Sequence, residues 1–183
     1  MLFRRAVPAS AAWNVTKTLV QSTVLWTIAL WVIPSAIVQV TRDMTGDVWR
    51  VGPWPRSGWL LFVLSSAGGL WSGWIMATQG RGTPLPLDHA REMVTGGPYA
   101  FVRNPMAIFG LGQGVGVALV LGSVAVLLYV AAGGAFWNWV LRPLEERRLL
   151  DQFGEGYERY RQHVRCWIPR VRHRRSAEST RNR

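Results

Sequence analysis

Apolar residues along this chain fall into four long runs, divided by breaks rich in polar residues, glycine and proline. The first run, Leu19 to Val40, carries no charge. A helix of that length, rising 1.5 Å per residue, crosses a hydrocarbon layer about 30 Å thick. Pro34 lies inside the run and predicts a kink rather than a break, because neighbouring helices can satisfy the freed carbonyl. A polar loop is expected from Thr41 to Ser57, with Asp43, Asp47, Pro53 and Pro55. Trp49, Trp54 and Trp59 near its end read as anchors at headgroup level. The second span runs from about Gly58 to Ala77, and Gly68, Gly69 and Gly73 favour close helix contact. The third is short, from near Met106 to near Leu121, and Gly110, Gly112, Gly114 and Gly116 are read as one small side. Gly122-Ser123 turns the chain into a fourth span, Ser123 to Leu141. The tight turn predicts an antiparallel hairpin packed through those glycines.

Two polar segments complete the pattern. Thr78 to Pro105 holds too many Gly and Pro residues for one helix, yet it is too aromatic and apolar for disorder. A connection of that length is usually functional. After Leu141 the chain turns charged. Leu144 to Tyr160 has helical periodicity broken at Phe153-Gly154, and the tail after Arg170 has the composition of a disordered segment. The expected organisation is residues 1–77 as a two-span region, 78–170 as the chemistry-bearing region and 171–183 as a basic tail. The expected fold is all-α: an integral membrane bundle of about four transmembrane helices with a tight C-terminal hairpin and a cytoplasmic C-terminal helix.

Charge sets the orientation. The chain has 21 Lys+Arg against 10 Asp+Glu, a formal net charge of +11. Such an excess suits either nucleic-acid phosphates or the cytoplasmic rim of a membrane protein. The spans decide for the rim, so no nucleic-acid partner is expected. Four spans place both termini on one side, together with the Arg81–Arg103 loop and the arginines after Leu141. The opposite loop holds only Arg42, Arg50 and Arg56, so the basic side is expected to be cytoplasmic, at a bacterial inner membrane. Arg4 and Arg5 resemble the start of a signal peptide. The run behind them is too long for one, and no small-residue cleavage site follows at Thr41-Arg42-Asp43, so a retained span is expected.

Candidate chemistry lies outside the spans. The single cysteine, Cys166, excludes an internal disulfide, and His89, His163 and His173 show no ligand spacing, so no metal is expected. Gln39, Gln113 and Asn138 are the main polar groups within the spans, which disfavours a proton relay. Arg91, Glu92, Tyr99, Arg103 and Asn104 precede the third span, and Arg142, Glu145 and Glu146 follow the fourth. A tight hairpin makes these two sets neighbours. Together they offer backbone donors, an aromatic face, guanidinium groups and a carboxyl pair at the edge of an apolar layer. A soluble donor could meet a lipophilic acceptor there.

The ordered set Gly97-Pro98-Tyr99, Arg103-Asn104-Pro105, a glycine-rich hairpin, Glu145-Glu146 and Phe153-Gly154-x-x-Tyr157-x-x-Tyr160 resembles the isoprenylcysteine carboxyl methyltransferase and phospholipid methyltransferase superfamily. Gly80-Arg81-Gly82-Thr83-Pro84 and Ile168-Pro169-Arg170 look like its bacterial members, and the likeness covers about residues 78 to 170. The resemblance implies S-adenosyl-L-methionine as cofactor. It would be lined by Arg91, Glu92, Met93, Val94 and Tyr99, continued by Arg103, Asn104, Pro105 and Met106, and held by Glu145 and Glu146, with Glu145 on the amino group. Arg142 stands one residue from the family's substrate-contacting arginine, which with Asn104 makes the expected catalytic pair. The sequence departs from the family at Asn104, where a His is usual, and at Ala107, where a Tyr is usual. The implied activity is methyl transfer to a lipophilic acceptor, an isoprenyl carboxylate or a phospholipid amine, at the cytoplasmic membrane face. A small-thiol or quinone acceptor, or a fold kept without catalysis, is the alternative. Residues before Thr78 should shape the acceptor path.

Overall fold

The computed structural model describes residues 4–5, 11–46, 54–80, 88–89 and 92–169. Arg91, the Arg81–Leu87 stretch and the 171–183 tail lie outside them. The architecture is all-helical apart from a parallel pairing of β1 (Arg4–Arg5) with β2 (Asp88–His89). α1 (Ala11–Thr27) and α2 (Ile33–Thr45) form one rod joined through a π turn at Ile28–Val32. α3 (Pro55–Gln79) and α4 (Pro105–Leu121) follow. α5 (Val124–Phe136) continues through a second π turn, Trp137–Leu141, into α6 (Arg142–Phe153), and α7 (Glu155–His163) closes the fold. Three of these stretches, Leu19–Thr45, Pro55–Gln79 and Val124–Phe153, are long and apolar enough to cross a membrane, and Pro105–Leu121 is a shorter apolar helix.

The ends of these helices follow from local chemistry. Pro55 and Pro105 occupy the first helical position, where a missing N–H costs nothing and φ is already helical. Ser123 caps α5, its Oγ accepting from the Val126 N–H at 3.3 Å. Gly122 makes the turn before it at φ 60°, a left-handed value that suits glycine. The first rod outruns the expected loop start at Thr41. The Thr41 and Thr45 hydroxyls donate back to the Ile37 and Thr41 carbonyls, both at 2.7 Å, and keep the last turn helical. Both π turns end just ahead of a proline, Pro34 and Pro143. The ring of each would strike a carbonyl four residues earlier, and the wider turn relieves that clash. The bonds Ile33 N–H to Ile28 O and Arg142 N–H to Trp137 O carry the chain through.

The α4 glycines correct one expectation. They do not form a single small side packed into the α4–α5 hairpin. A two-residue step turns a helix by about 200°, so alternate glycines face opposite ways. Gly112 and Gly116 face α3. A Cβ on Gly116 would sit 2.8 Å from the Gly58 carbonyl oxygen and 2.9 Å from the Phe62 nitrogen. Gly110 instead abuts Trp26 of α1, and Gly114 abuts Val130 of α5. The closest backbone approach is therefore between α3 and α4, with the hairpin partner on the far side.

Candidate functional site

Four segments converge at one end of the bundle: the Glu92–Asn104 connection, the tip of α3, α6 and α7. The 3-10 turn Gly97–Ala100 sets Tyr99 into the interior, 5% exposed, with Gly97 at φ 56° allowing the entry. Phe153 ends α6, and Gly154 reverses the chain at φ 53° so that α7 folds back over the site. The returning segment is fixed at four points. The Tyr160 hydroxyl donates to the Tyr99 carbonyl at 2.6 Å. The Arg103 N–H reaches the Arg165 carbonyl at 2.9 Å, and its guanidinium reaches the Arg161 carbonyl at 3.3 Å. Trp167 donates through Nε1 to Asn138 Oδ1 at 2.9 Å and stacks edge-on against Trp137.

Inside this strap the two adjacent carboxylates have different partners. Glu146 is ion-paired to Arg103 at 2.9 Å, and both side chains are more than four-fifths buried. Glu145 instead accepts from the neutral Asn104 amide at 3.3 Å. It lies a turn beyond Leu141, where the apolar part of the helix ends. Burial pushes the Glu145 carboxyl above its ordinary value, against the pull of the Asn104 hydrogen bond and the Arg148 charge. Burial also raises Tyr99 and Tyr160, and it pushes Tyr157 up to about 12, so all three are neutral phenols.

A cavity of about 70 Å³ lies among these groups. Glu92, Met93, Val94, Tyr99, Arg103, Asn104, Glu145 and Glu146 all line it, so eight residues expected from sequence meet around one space. Pro105 is the buried first residue of α4. Met106 lies one step further and faces a different, larger groove of about 570 Å³ between α1, α3 and α4. Arg142 lines neither space, and its Nε is buried without a hydrogen-bond partner. Arg91 lies outside the described residues. Met76, Leu149, Phe153, Tyr157, Tyr160 and Cys166 complete the lining and were not anticipated as site residues. For Tyr157 and Tyr160 a signal existed, since the Phe-Gly-x-x-Tyr-x-x-Tyr spacing puts both rings on one face of the helix after the Gly154 reversal.

The carboxylate, phenols, amide and thioethers form a donor and acceptor set suited to a small polar molecule carrying an ammonium group and a ring. The family model described as phospholipid methyltransferase matches residues 55–156, more than half of the chain. The match runs from the start of α3 to the first turn of α7 and includes Tyr99, Arg103, Asn104, Glu145 and Glu146. No curated protein and no solved structure matches.

Proposed function

Because this chain belongs to the phospholipid methyltransferase family, we propose that it is an S-adenosylmethionine-dependent integral membrane methyltransferase acting on a lipophilic acceptor at the cytoplasmic face. The observation that carries the reading is the contrast between the two carboxylates. Arg103 neutralises Glu146, whereas Glu145 is held by an uncharged amide in a buried setting. A buried carboxylate that makes no ion pair among the described residues gains most from an incoming ammonium, through a charge-assisted hydrogen bond. Glu145 would hold the cofactor's amino group, and Tyr99 and Tyr157 would present neutral aromatic surface to its ring.

When bound, S-adenosylmethionine supplies an electrophilic methyl on a sulfonium, which an acceptor lone pair takes while the carbon–sulfur bond pair returns to sulfur. The chain's own task is alignment and exclusion of water. Asn104 cannot titrate near neutrality, so the acceptor arrives already nucleophilic, as a carboxylate or a neutral amine. Arg142 lines neither space, so no contact with the acceptor is assigned to it. The cavity of about 70 Å³ is far below the roughly 300–1,000 Å³ of ligand sites, so cofactor entry requires the strap beyond Gly154 to lift. Gly154 suits a hinge, since a Cβ there would meet nothing within 4 Å.

The test is methyl transfer from labelled cofactor by protein in nanodiscs, offered phospholipid amines and prenyl carboxylates in turn. Label appearing in the organic extract with wild type, and lost with Glu145→Gln, is the expected result. Undiminished transfer by Glu145→Gln contradicts the site.

A further inference from the structure

The 570 Å³ groove lies in the range of ligand sites and opens beside the cofactor cavity. On α3, Ala77 lines the groove while its neighbour Met76 lines the cavity. On α4, Met106 lines the groove and Asn104 the cavity, with only Pro105 between them. From this mouth the groove descends along α3 from Ala77 to Phe62, about 22 Å of helix at 1.5 Å per residue. Its opposite wall is α1 and the π turn after it, through residues such as Thr23, Trp26 and Leu30, which precede the family match. Most of the lining is apolar, and Thr23, Thr27, Ser66 and Gln113 are its polar side chains.

Among these polar groups, the Gln113 amide is the one that calls for a ligand. It stands seven residues below Met106, about 10 Å down the helix. One of its Nε2 hydrogens goes to Ser66 Oγ at 2.8 Å. Ser66 has already committed its own proton to the Phe62 carbonyl at 2.7 Å, so it cannot serve the Gln113 oxygen. Among the described residues, that oxygen and the second N–H of Gln113 make no hydrogen bond. A half-used amide on an apolar wall at membrane depth is costly unless something polar meets it.

Resting on the methyltransferase reading above, we propose that the groove seats the hydrophobic arm of the acceptor and that Gln113 reads an oxygen carried partway along that arm. Gln113 is then a specificity-determining residue. A site built to hydrogen-bond a group discriminates against the analogue lacking it, because the amide is left unpaired. If Gln113 served only to join α3 to α4, its loss would weaken the fold without altering the choice between ligands.

Two lipophilic amines of equal length separate these roles: octadecylamine and its 9-oxo derivative. Saturable binding of each is measured in phosphatidylcholine nanodiscs with wild type, Gln113→Leu and Gly69→Leu. Gly69 lines the groove, and a Cβ there would meet only Phe109 Cβ at 3.7 Å, so leucine enters the groove without strain on the helices. The expected result is a roughly tenfold preference of wild type for the oxo probe, reduced to parity in Gln113→Leu, with both probes excluded by Gly69→Leu. Equal affinity in wild type, a preference that survives Gln113→Leu, or binding unaffected by Gly69→Leu each overturns the proposal. Cofactor binding is titrated on the same samples. Its absence beside intact probe selectivity overturns the methyltransferase reading alone, whereas intact cofactor binding without selectivity overturns the groove assignment alone.

Discussion

Glu145 and Glu146 are neighbours in sequence with separate tasks, and their surroundings separate them. Arg103 reaches across from the start of α4 to Glu146, so removing it leaves a carboxylate buried without its charge partner. Arg103→Ala should cost about 3 kcal/mol of stability, in the range for breaking a buried pair, read as a lowered midpoint in thermal unfolding. Glu145 behaves differently with pH. Burial raises its folded pKa above the ordinary carboxylate value, so its stabilising contribution is lost as pH rises through that raised value. On the proposed reading, cofactor binding needs the carboxylate. Affinity for S-adenosylmethionine should therefore weaken on acidification, starting at a higher pH than an ordinary carboxylate would give. In Glu145→Gln that pH dependence should disappear along with most of the affinity, as checked by calorimetric titration at several pH values. The carboxyl pair itself was legible from its place after the fourth span. Which member pairs with Arg103 was not, because that depends on how far Arg103 reaches across the hairpin. Sequence also left Tyr157 and Tyr160 out of the site, since only the Gly154 reversal turns their face inward.

Among the helices, hydrophobic length was the readable quantity. The four apolar runs became the expected helices, with boundaries moved a few residues by prolines at helix starts and by threonines that close the first rod. Packing partners were not readable in the same way. The glycine spacing in α4 indicates close approach, but the neighbour at each glycine depends on helix rotation, and the tightest contact proved to be with α3. Gly116→Val should force α3 and α4 apart, since its Cβ would lie 2.8 Å from a backbone oxygen that cannot swing away. A loss of about 3 kcal/mol or failure to fold is expected. The same substitution at Gly133, where a Cβ meets nothing within 4 Å, should leave the unfolding midpoint nearly unchanged. The strap is held in the same local manner. Trp167→Phe keeps the ring against Trp137 but removes the donor to Asn138, and should cost about 1 kcal/mol. Faster cofactor exchange in stopped-flow binding should accompany it if the strap is the gate.

For the whole molecule, the bundle places a polar cavity and an apolar groove end to end, with Met76–Ala77 and Asn104–Met106 at the junction. The cavity is built within the matched family region and from the strap that follows it. The groove borrows its second wall from α1, which precedes that region. This division explains why the sequence spoke clearly about the proposed cofactor end and hardly at all about the acceptor. Residues holding a shared cofactor form recognisable spacings, whereas a groove is a shape made by rotation and packing. The central claim is that Glu145 anchors S-adenosylmethionine in the buried cavity, and direct binding tests it most simply. Purified wild-type protein titrated calorimetrically with S-adenosylmethionine should show one saturable site in the micromolar range, also filled by S-adenosylhomocysteine, with affinity reduced at least tenfold in Glu145→Gln. A well-folded wild type that binds neither ligand, or a Glu145→Gln variant that binds both as wild type does, contradicts the account.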